Sequence, residues 1–210
     1  MKSRSVADLL EGARVVAVLV IDDVAAAVPL ARALVGGGIR TIEVTLRSSS
    51  ALDAIAAIAA GVPDALVGAG TVVAPGQFAE VQGRGARFAV SPGATPALCE
   101  AAAASPVPWL PGAQTVTEMM ALRDRGYLVQ KFFPAEPSGG VAFLKALASP
   151  LPDLRFCPTG GIGERNAGDY LALPNVLCVG GSWMAPPALV KAGDWSAVAA
   201  LAARVSAARH

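Results

Sequence analysis

The chain has 210 residues, 16% of them charged, and its 17 basic and 16 acidic residues nearly cancel. A chain of this length buries a sizeable core, and the balanced charge offers no basic surface to nucleic acid. No apolar run reaches the roughly 18 residues of a membrane span, and the N-terminal residues lack the apolar segment of a signal peptide. We therefore expect a cytoplasmic protein that contacts neither nucleic acid nor membrane.

Apolar runs rich in β-branched residues alternate with helical segments along the whole chain. After a short helix over residues 5–13, we predict strands at 14–21, 41–48, 65–72, 87–93, 107–115, 127–134, 154–162 and 175–183. Helices are predicted at 23–38, 49–62, 75–85, 95–105, 115–126, 139–149 and 164–174, and from about 194 to 208. Asp22 and Asp23 are available to cap the second helix, and Ser49 or Ser50 the third.

Strands that alternate with helices at this spacing predict a parallel sheet. Eight such units favour a closed (β/α)₈ TIM barrel with an extra N-terminal helix, as one α/β domain over residues 1–210. The alternative is an open, doubly wound sheet. It is weakened because the first turn from strand to helix lacks the GxGxxG pattern of dinucleotide-binding folds.

Cysteine and histidine usage limits the possible chemistry. Cys99, Cys157 and Cys178 are widely spaced among apolar residues, which predicts buried free thiols rather than disulfides or a zinc site. The only histidine is His210, the last residue. This argues strongly against a Ser-His-Asp or Cys-His nucleophile and against a site with several histidine ligands. The chemistry must therefore use lysine, carboxylates, hydroxyls, arginine and backbone dipoles.

The strand predicted at 127–134, YLVQKFFP, holds Lys131 among apolar residues. A buried ammonium is costly unless something in the interior uses it, and burial disfavours the charged form of the amine. A neutral amine is a nucleophile that forms a Schiff base with a ketone. The alternative is a lysine at a strand end whose stem carries the charge out to solvent.

Glu43 lies between apolar residues of another strand, and both faces of a barrel strand are covered. It is either the structural partner of a basic residue or, with a lysine at matching depth, a group that transfers protons. Arg47 ends the same strand, either as a surface cation or as a bidentate clamp for a substrate carboxylate. Thr71 and Thr159, beside glycine turns, either cap helices or orient a small anion.

The segments TGG at 159–161 and GGS at 180–182 follow the seventh and eighth predicted strands. Phosphate sites of barrels are frequently built there from backbone N–H groups, and glycine lets an anion approach the backbone closely. Each pair of glycines alone indicates only a turn. The two together at these positions predict a phosphate site.

Several motifs, in this order and spacing, resemble those of the 2-keto-3-deoxy-6-phosphogluconate (KDPG) aldolase family, which overlaps with 4-hydroxy-2-oxoglutarate (KHG) aldolase. They are EVTLR at 43–47, VGAGTV, SPG, KFFPAE, RFCPTGGI and VLCVGGSW. The resemblance runs from about Leu9 to Trp195. It implies a class I aldolase on a (β/α)₈ barrel, assembled as a homotrimer and needing neither a metal nor another cofactor.

By position, the resemblance implies that Lys131 is the Schiff-base lysine and Glu43 the general acid and base. It implies that Arg47 and Thr71 hold the carboxylate of the pyruvate portion. The implied reaction cleaves KDPG to pyruvate and glyceraldehyde 3-phosphate, as in Entner-Doudoroff catabolism of sugar acids.

The other matched positions line the rest of the implied pocket. Pro92 matches a residue of the wall, and Thr159 matches a hydroxyl beside the imine. The phosphate end is matched by Gly160, Gly161, Gly181 and Ser182. Val20 departs from the pattern, because some members of the family carry a basic residue near the end of the first strand.

Two alternatives to this function remain open at the level of sequence. One is the same chemistry on another 2-keto acid, either KHG or the galactonate epimer of KDPG. The other is a barrel that binds a sugar phosphate without turning it over. Burial of both Glu43 and Lys131 speaks against the second, because a binding module has little reason to desolvate two charged groups.

Overall fold

Parallel strands alternate with helices through residues 5–207, the part of the chain that the computed structural model describes. The strands are β1 Val15–Leu19, β2 Thr41–Thr45, β3 Leu66–Gly70, β4 Ala89–Val90, β5 Trp109–Leu110, β6 Gly112–Ala113, β7 Val129–Phe132, β8 Arg155–Pro158 and β9 Val179–Gly181. All of their pairings are parallel. The predicted α/β class and the parallel sheet are therefore confirmed.

The helices lie between the strands, as the sequence predicts. They are α1 Val6–Leu10, α2 Val24–Gly36, α3 Ala51–Gly61, α4 Gln77–Gly83, α5 Pro96–Ala104, α6 Val116–Asp124, α7 Gly140–Leu147, α8 Ala167–Leu171, α9 Pro187–Ala192 and α10 Trp195–Ala207. A 3₁₀ turn, Glu136–Ser138, precedes α7. Helix α9 was not predicted.

The hydrogen-bonded ladders form two sheets rather than one uninterrupted ring. One curled sheet has the order β5-β4-β3-β2-β1-β9, and the other has the order β6-β7-β8. The strand predicted at 107–115 is divided at Pro111, which has no N–H to donate to a ladder. Isolated parallel bridges join Phe156 to Val176 and Thr159 to Gly180. The described residues thus form one α/β domain, and full barrel closure stays a prediction.

Buried side chains form two clusters because successive side chains of a strand point to opposite faces. The larger cluster contains residues of the strands and of helices α2 to α8 and α10. The smaller one contains strand residues such as Val16, Leu110 and Cys157, together with Val6 and Leu10 of α1. Helix α1 begins with a capping box in which Ser5 and Asp8 bond to each other's backbone N–H. The short N-terminal helix therefore packs against the inner face of the strands.

The predicted helix caps are correct in one case and wrong in another. Asp23 caps α2, accepting the N–H of Ala25 at 2.9 Å. Ser50 occupies the N-cap position of α3 but makes no capping bond. Its hydroxyl instead donates to the carbonyl of Asp22 at 2.7 Å, so it ties the loop after β2 to the loop after β1.

The structure also tests the expectations for the cysteines and for membrane-spanning helices. All three cysteines are free and buried, as predicted. Within residues 5–207, no helix has the length and apolar character needed to cross a bilayer. His210 lies outside the described residues.

Gly68 on β3 provides a direct test of inner-face packing. A Cβ there would overlap the ring of Phe88, which is fully buried, whereas a Cβ at Gly83 on α4 would meet no atom. We expect Gly68→Ala to lower the free energy of unfolding by about 1–3 kcal/mol through overpacking. The matched control, Gly83→Ala, should change it by less than about 1 kcal/mol or raise it. Urea denaturation measures both, and equal effects at the two positions would contradict the packing described.

Candidate active site

Lys131 and Glu43 meet on the inner face, although 88 positions separate them in the sequence. The Nζ of Lys131 on β7 donates to Oε1 of Glu43 on β2 at 3.2 Å. Lys131 is 5% exposed and Glu43 is 2% exposed. The lysine therefore does not extend out to solvent, and the carboxylate is its ion-pair partner. The two charged residues predicted on different strands therefore form one buried ion pair.

Neighbouring residues shape the space around this pair. Gly70 at the end of β3 has no side chain, and a Cβ there would overlap the carboxylate of Glu43. The ring centroid of Phe133 lies 5.4 Å from Nζ of Lys131, within reach of a cation–π contact. The carboxylate thus occupies space that the missing side chain of Gly70 leaves free, and an aromatic ring lies beside the amine.

Two buried thiols, Cys157 and Cys178, lie near the pair. Cys157 is paired in register with Lys131 across β7 and β8. A hydrogen bond with Cys157, together with burial, raises the pKa of the Cys178 thiol well above its usual range. The Cys178 thiol therefore stays protonated at neutral pH and adds no charge beside the pair.

Arg47 is held by a threonine that the sequence analysis did not single out. The Nε of Arg47 donates to Oγ1 of Thr45 at 3.1 Å. That hydroxyl in turn donates to the carbonyl of Leu19 at 2.9 Å, and Thr45 is buried. Arg47 forms no salt bridge within residues 5–207. Its two terminal amino groups remain available to a ligand.

Thr71 has an unusual backbone conformation. Its φ of +59° is the only positive value at a non-glycine residue among those described. A β-branched residue is strained in this region, and such strain is concentrated at functional sites. Both neighbours are fixed, because Leu46 N–H donates to the carbonyl of Gly70 at 2.8 Å and Val72 N–H donates to that of Val90 at 3.0 Å. Thr71 does not cap a helix, since the N-cap position of α4 is occupied by Gly76.

Thr159 points a buried hydroxyl toward β9. Its Oγ1 has no hydrogen-bond partner among the described residues, and a Cβ at Gly180 would overlap it. Asn166 rather than Thr159 occupies the N-cap position of the next helix, α8. A buried hydroxyl without a partner beside a cavity is free to bond to a ligand.

The two predicted glycine turns expose backbone N–H groups. Gly160 and Gly161 have φ values of +104° and +80°, which glycine tolerates best. The N–H groups of Gly161, Ile162 and Ser182 donate to no acceptor within the described part of the chain. Free N–H groups in such a turn form a concave site that attracts anions.

All ten predicted site residues line one cavity of about 390 Å³. The lining comprises Val18, Glu43, Thr45, Arg47, Thr71, Pro92, Lys131, Phe133, Thr159, Gly160, Gly161, Ile162, Gly180, Gly181 and Ser182. Its charged groups are two cations and one carboxylate, which favours an anionic ligand. No cluster of three metal-ligating side chains occurs in residues 5–207. Val20 is 43% exposed and does not line the cavity.

Four lining residues lie outside the predicted site residues and glycine segments, and two of them follow from strand geometry. Val18, Thr45, Phe133 and Ile162 complete the wall, together with Gly180 of the predicted GGS segment. Thr45 and Phe133 each lie two positions after a predicted residue. Side chains two apart in a strand share a face. Counting in steps of two from Glu43 and Lys131 would have found both.

The sequence matches a known family over nearly its whole length. The family model for KDPG and KHG aldolases covers residues 6–201. A 2-dehydro-3-deoxy-phosphogluconate aldolase of Pseudoalteromonas atlantica is 54% identical over 195 residues, which is 93% of this chain and 91% of that protein.

Solved structures agree with the sequence match. KDPG aldolase from Legionella pneumophila, with pyruvate captured as a covalent carbinolamine intermediate, superimposes with a TM-score of 0.94 at 45% identity, covering 97% of this chain and 99% of that one. The Zymomonas mobilis aldolase with 3-phosphoglycerate has a TM-score of 0.93 at 44% identity, covering 99% and 98%. The resemblance predicted from the motifs is therefore confirmed. This chain belongs to the KDPG and KHG aldolase family.

Proposed function

We propose that this protein is a class I aldolase that cleaves KDPG to pyruvate and glyceraldehyde 3-phosphate. The observation that carries the proposal is the pairing of Lys131 with Glu43 at 3.2 Å in the wall of a cavity. A buried amine next to a carboxylate is the arrangement that Schiff-base formation requires, because the amine attacks and the carboxylate transfers protons. The cavity of about 390 Å³ lies in the range of small-molecule sites.

The first half of the reaction forms an imine. Transfer of a proton from Lys131 to Glu43, its ion-pair partner, gives the free amine, which adds to the C2 ketone of KDPG to give a carbinolamine. Protonation of its hydroxyl, for which Glu43 is the nearest acid, releases water and leaves a protonated imine. The carbinolamine of pyruvate captured in the Legionella pneumophila relative supports this step.

The second half breaks the C3–C4 bond. Glu43, as the carboxylate, accepts the proton of the C4 hydroxyl, and the electron pair of the broken bond moves into the imine to give an enamine. Glyceraldehyde 3-phosphate leaves. Protonation of the enamine at C3 and hydrolysis of the imine then release pyruvate and regenerate Lys131. The protonated imine is the electron sink, so the route needs no metal.

The carboxylate of the pyruvate portion binds at Arg47 and Thr71 in this proposal. Thr45 holds Nε of Arg47, and the two terminal amino groups are left to make a bidentate contact. Thr71 lines the same cavity, as does Pro92, which forms part of the wall. The unpartnered hydroxyl of Thr159 lies beside the imine.

The phosphate binds at Gly160, Gly161, Gly181 and Ser182, which line the same cavity. The free N–H groups of Gly161 and Ser182 support this assignment. The relative from Zymomonas mobilis, whose structure contains 3-phosphoglycerate, supports a phosphorylated ligand. Lys131 and Arg47, the cations that line the cavity, are both assigned to the pyruvate portion, so backbone dipoles carry phosphate recognition.

A second activity, cleavage of KHG, is favoured by the family model, which covers KHG aldolases as well. KHG has the same 2-keto-4-hydroxy core, so Lys131 and Glu43 would act on it in the same way. It lacks the phosphate, and the glycine turns would then contribute little to its binding.

We also propose that the two sheets form one closed (β/α)₈ barrel, that the protein acts in the cytoplasm, and that three copies assemble. The short connection at Pro111 and the two bridges near β9 support closure. The family resemblance supports the trimer, as do the exposed side chains of Val116 and Met120, one turn apart on α6.

Light scattering tests the assembly. It should give a mass three times the 21.1 kDa of one chain, and the mass of a monomer would contradict the trimer.

Substitution of the paired residues tests the proposed mechanism. We expect Glu43→Gln to lower kcat for KDPG by about 10²–10⁴-fold, because proton transfer is lost while the amine remains. Lys131→Ala should abolish turnover. Lys145→Ala, which removes an exposed lysine from α7, is the matched control and should leave turnover unchanged. Pyruvate release, coupled to lactate dehydrogenase, measures all three, and wild-type turnover in either site variant would refute its assigned role.

A further inference from the structure

Glu136 supports the glycine turn of residues 159–161 from outside the cavity. It lies in the 3₁₀ turn after β7 and does not line the cavity. Its N–H donates to the carbonyl of Gly160 at 3.0 Å, and Ala135 N–H donates to that of Thr159 at 2.8 Å. A Cβ at Gly161 would overlap Cβ and Cγ of Glu136. The turn therefore packs against both the backbone and the aliphatic part of Glu136.

The carboxylate of Glu136 is anchored by a buried phenol. Tyr170 on α8 is fully buried, and its hydroxyl donates to Oε1 of Glu136. Burial and this hydrogen bond raise the pKa of Tyr170. The phenol therefore keeps its proton, and stays a donor, throughout the pH range of an enzyme assay. Gly140 allows both oxygens to approach, since a Cβ there would lie 3.0 Å from each.

A glycine turn needs such an anchor because glycine populates many backbone conformations. Gly160 and Gly161 both adopt positive φ, and their free chain would lose considerable entropy on being ordered around a ligand. The backbone bonds and the Glu136–Tyr170 contact fix the turn before a ligand arrives. Preordering of this kind improves binding by removing that cost.

We propose that Glu136 and Tyr170 are positioning residues that hold the glycine turn in its anion-binding conformation and so set the preference for phosphorylated over unphosphorylated 2-keto acids. The inference rests on the proposed function, in which this turn binds the phosphate. Neither residue touches the substrate. Both act through Gly160 and Gly161.

The negative charge of Glu136 is not the source of its effect on the glycine turn. A carboxylate behind an anion-binding turn repels phosphate, so Glu136 does not act through its charge. Its contribution comes from packing and from accepting the bond of Tyr170. Glu136→Gln keeps the shape and an acceptor oxygen while removing the charge, and it should therefore bind phosphate at least as well as the wild type.

Steady-state kinetics on two substrates tests the inference. We expect Tyr170→Phe and Glu136→Ala to raise KM for KDPG by about fivefold or more, with kcat and the KM for KHG within about twofold of wild type. Glu136→Gln should restore the KM for KDPG. The double variant should be no worse than the worse single one, because the two residues act through one contact. Tyr127→Phe, at the chain's other tyrosine, should leave both KM values unchanged.

Equal rises in KM for both substrates, or no rise for KDPG, would overturn the inference. Calorimetric titration with glycerol 3-phosphate gives a readout that does not depend on turnover. Its Kd should rise in Tyr170→Phe and stay constant in Tyr127→Phe, and the same Kd in both variants would also overturn the inference. If the wild-type protein formed no covalent adduct with pyruvate, that result would instead contradict the proposed function, because adduct formation does not involve the glycine turn.

Discussion

The ion pair between Lys131 and Glu43 is the interaction on which the rest of the site depends. Both groups are removed from water, which is costly for a lysine and a carboxylate unless they are paired and used. The fold makes room for them on an otherwise apolar inner face, with Gly70 beside the carboxylate and the ring of Phe133 near the amine. A chain selected only for stability would have little reason to keep this pair.

The remaining features of the cavity suit the anionic substrate of the proposed function. Thr45 holds Nε of Arg47, which leaves two terminal amino groups available, and the backbone of Thr71 has a positive φ. The glycine turn has a free N–H group at Gly161, and the backbone and side chain of Glu136 pack against this turn. The cavity thus combines cations, free backbone N–H groups and a buried lysine, which fits the phosphorylated 2-keto acid proposed as its substrate.

The sequence predicted the strands and the buried charged residues for the same physical reason. A strand that is covered on both faces has a nearly continuous run of apolar residues. A charged residue inside such a run, such as Lys131 or Glu43, is therefore easily recognised. Thr45 and Phe133 carry no such signal and become visible only through the alternation of a strand. Three other features could not be predicted from the sequence. The break in a strand at Pro111 and the positive φ of Thr71 depend on how neighbouring strands pack. The contact of Glu136 with Tyr170 joins residues that are 34 positions apart.

Covalent trapping with pyruvate tests whether Lys131 is the nucleophile. The protein is incubated with pyruvate, reduced with borohydride, digested and analysed by mass spectrometry. We expect a reduced pyruvyl adduct on the peptide that contains Lys131 and none on those that contain Lys145 or Lys191. Folded protein that gives no adduct, or an adduct on another lysine, would contradict the assignment of Lys131 as the nucleophile.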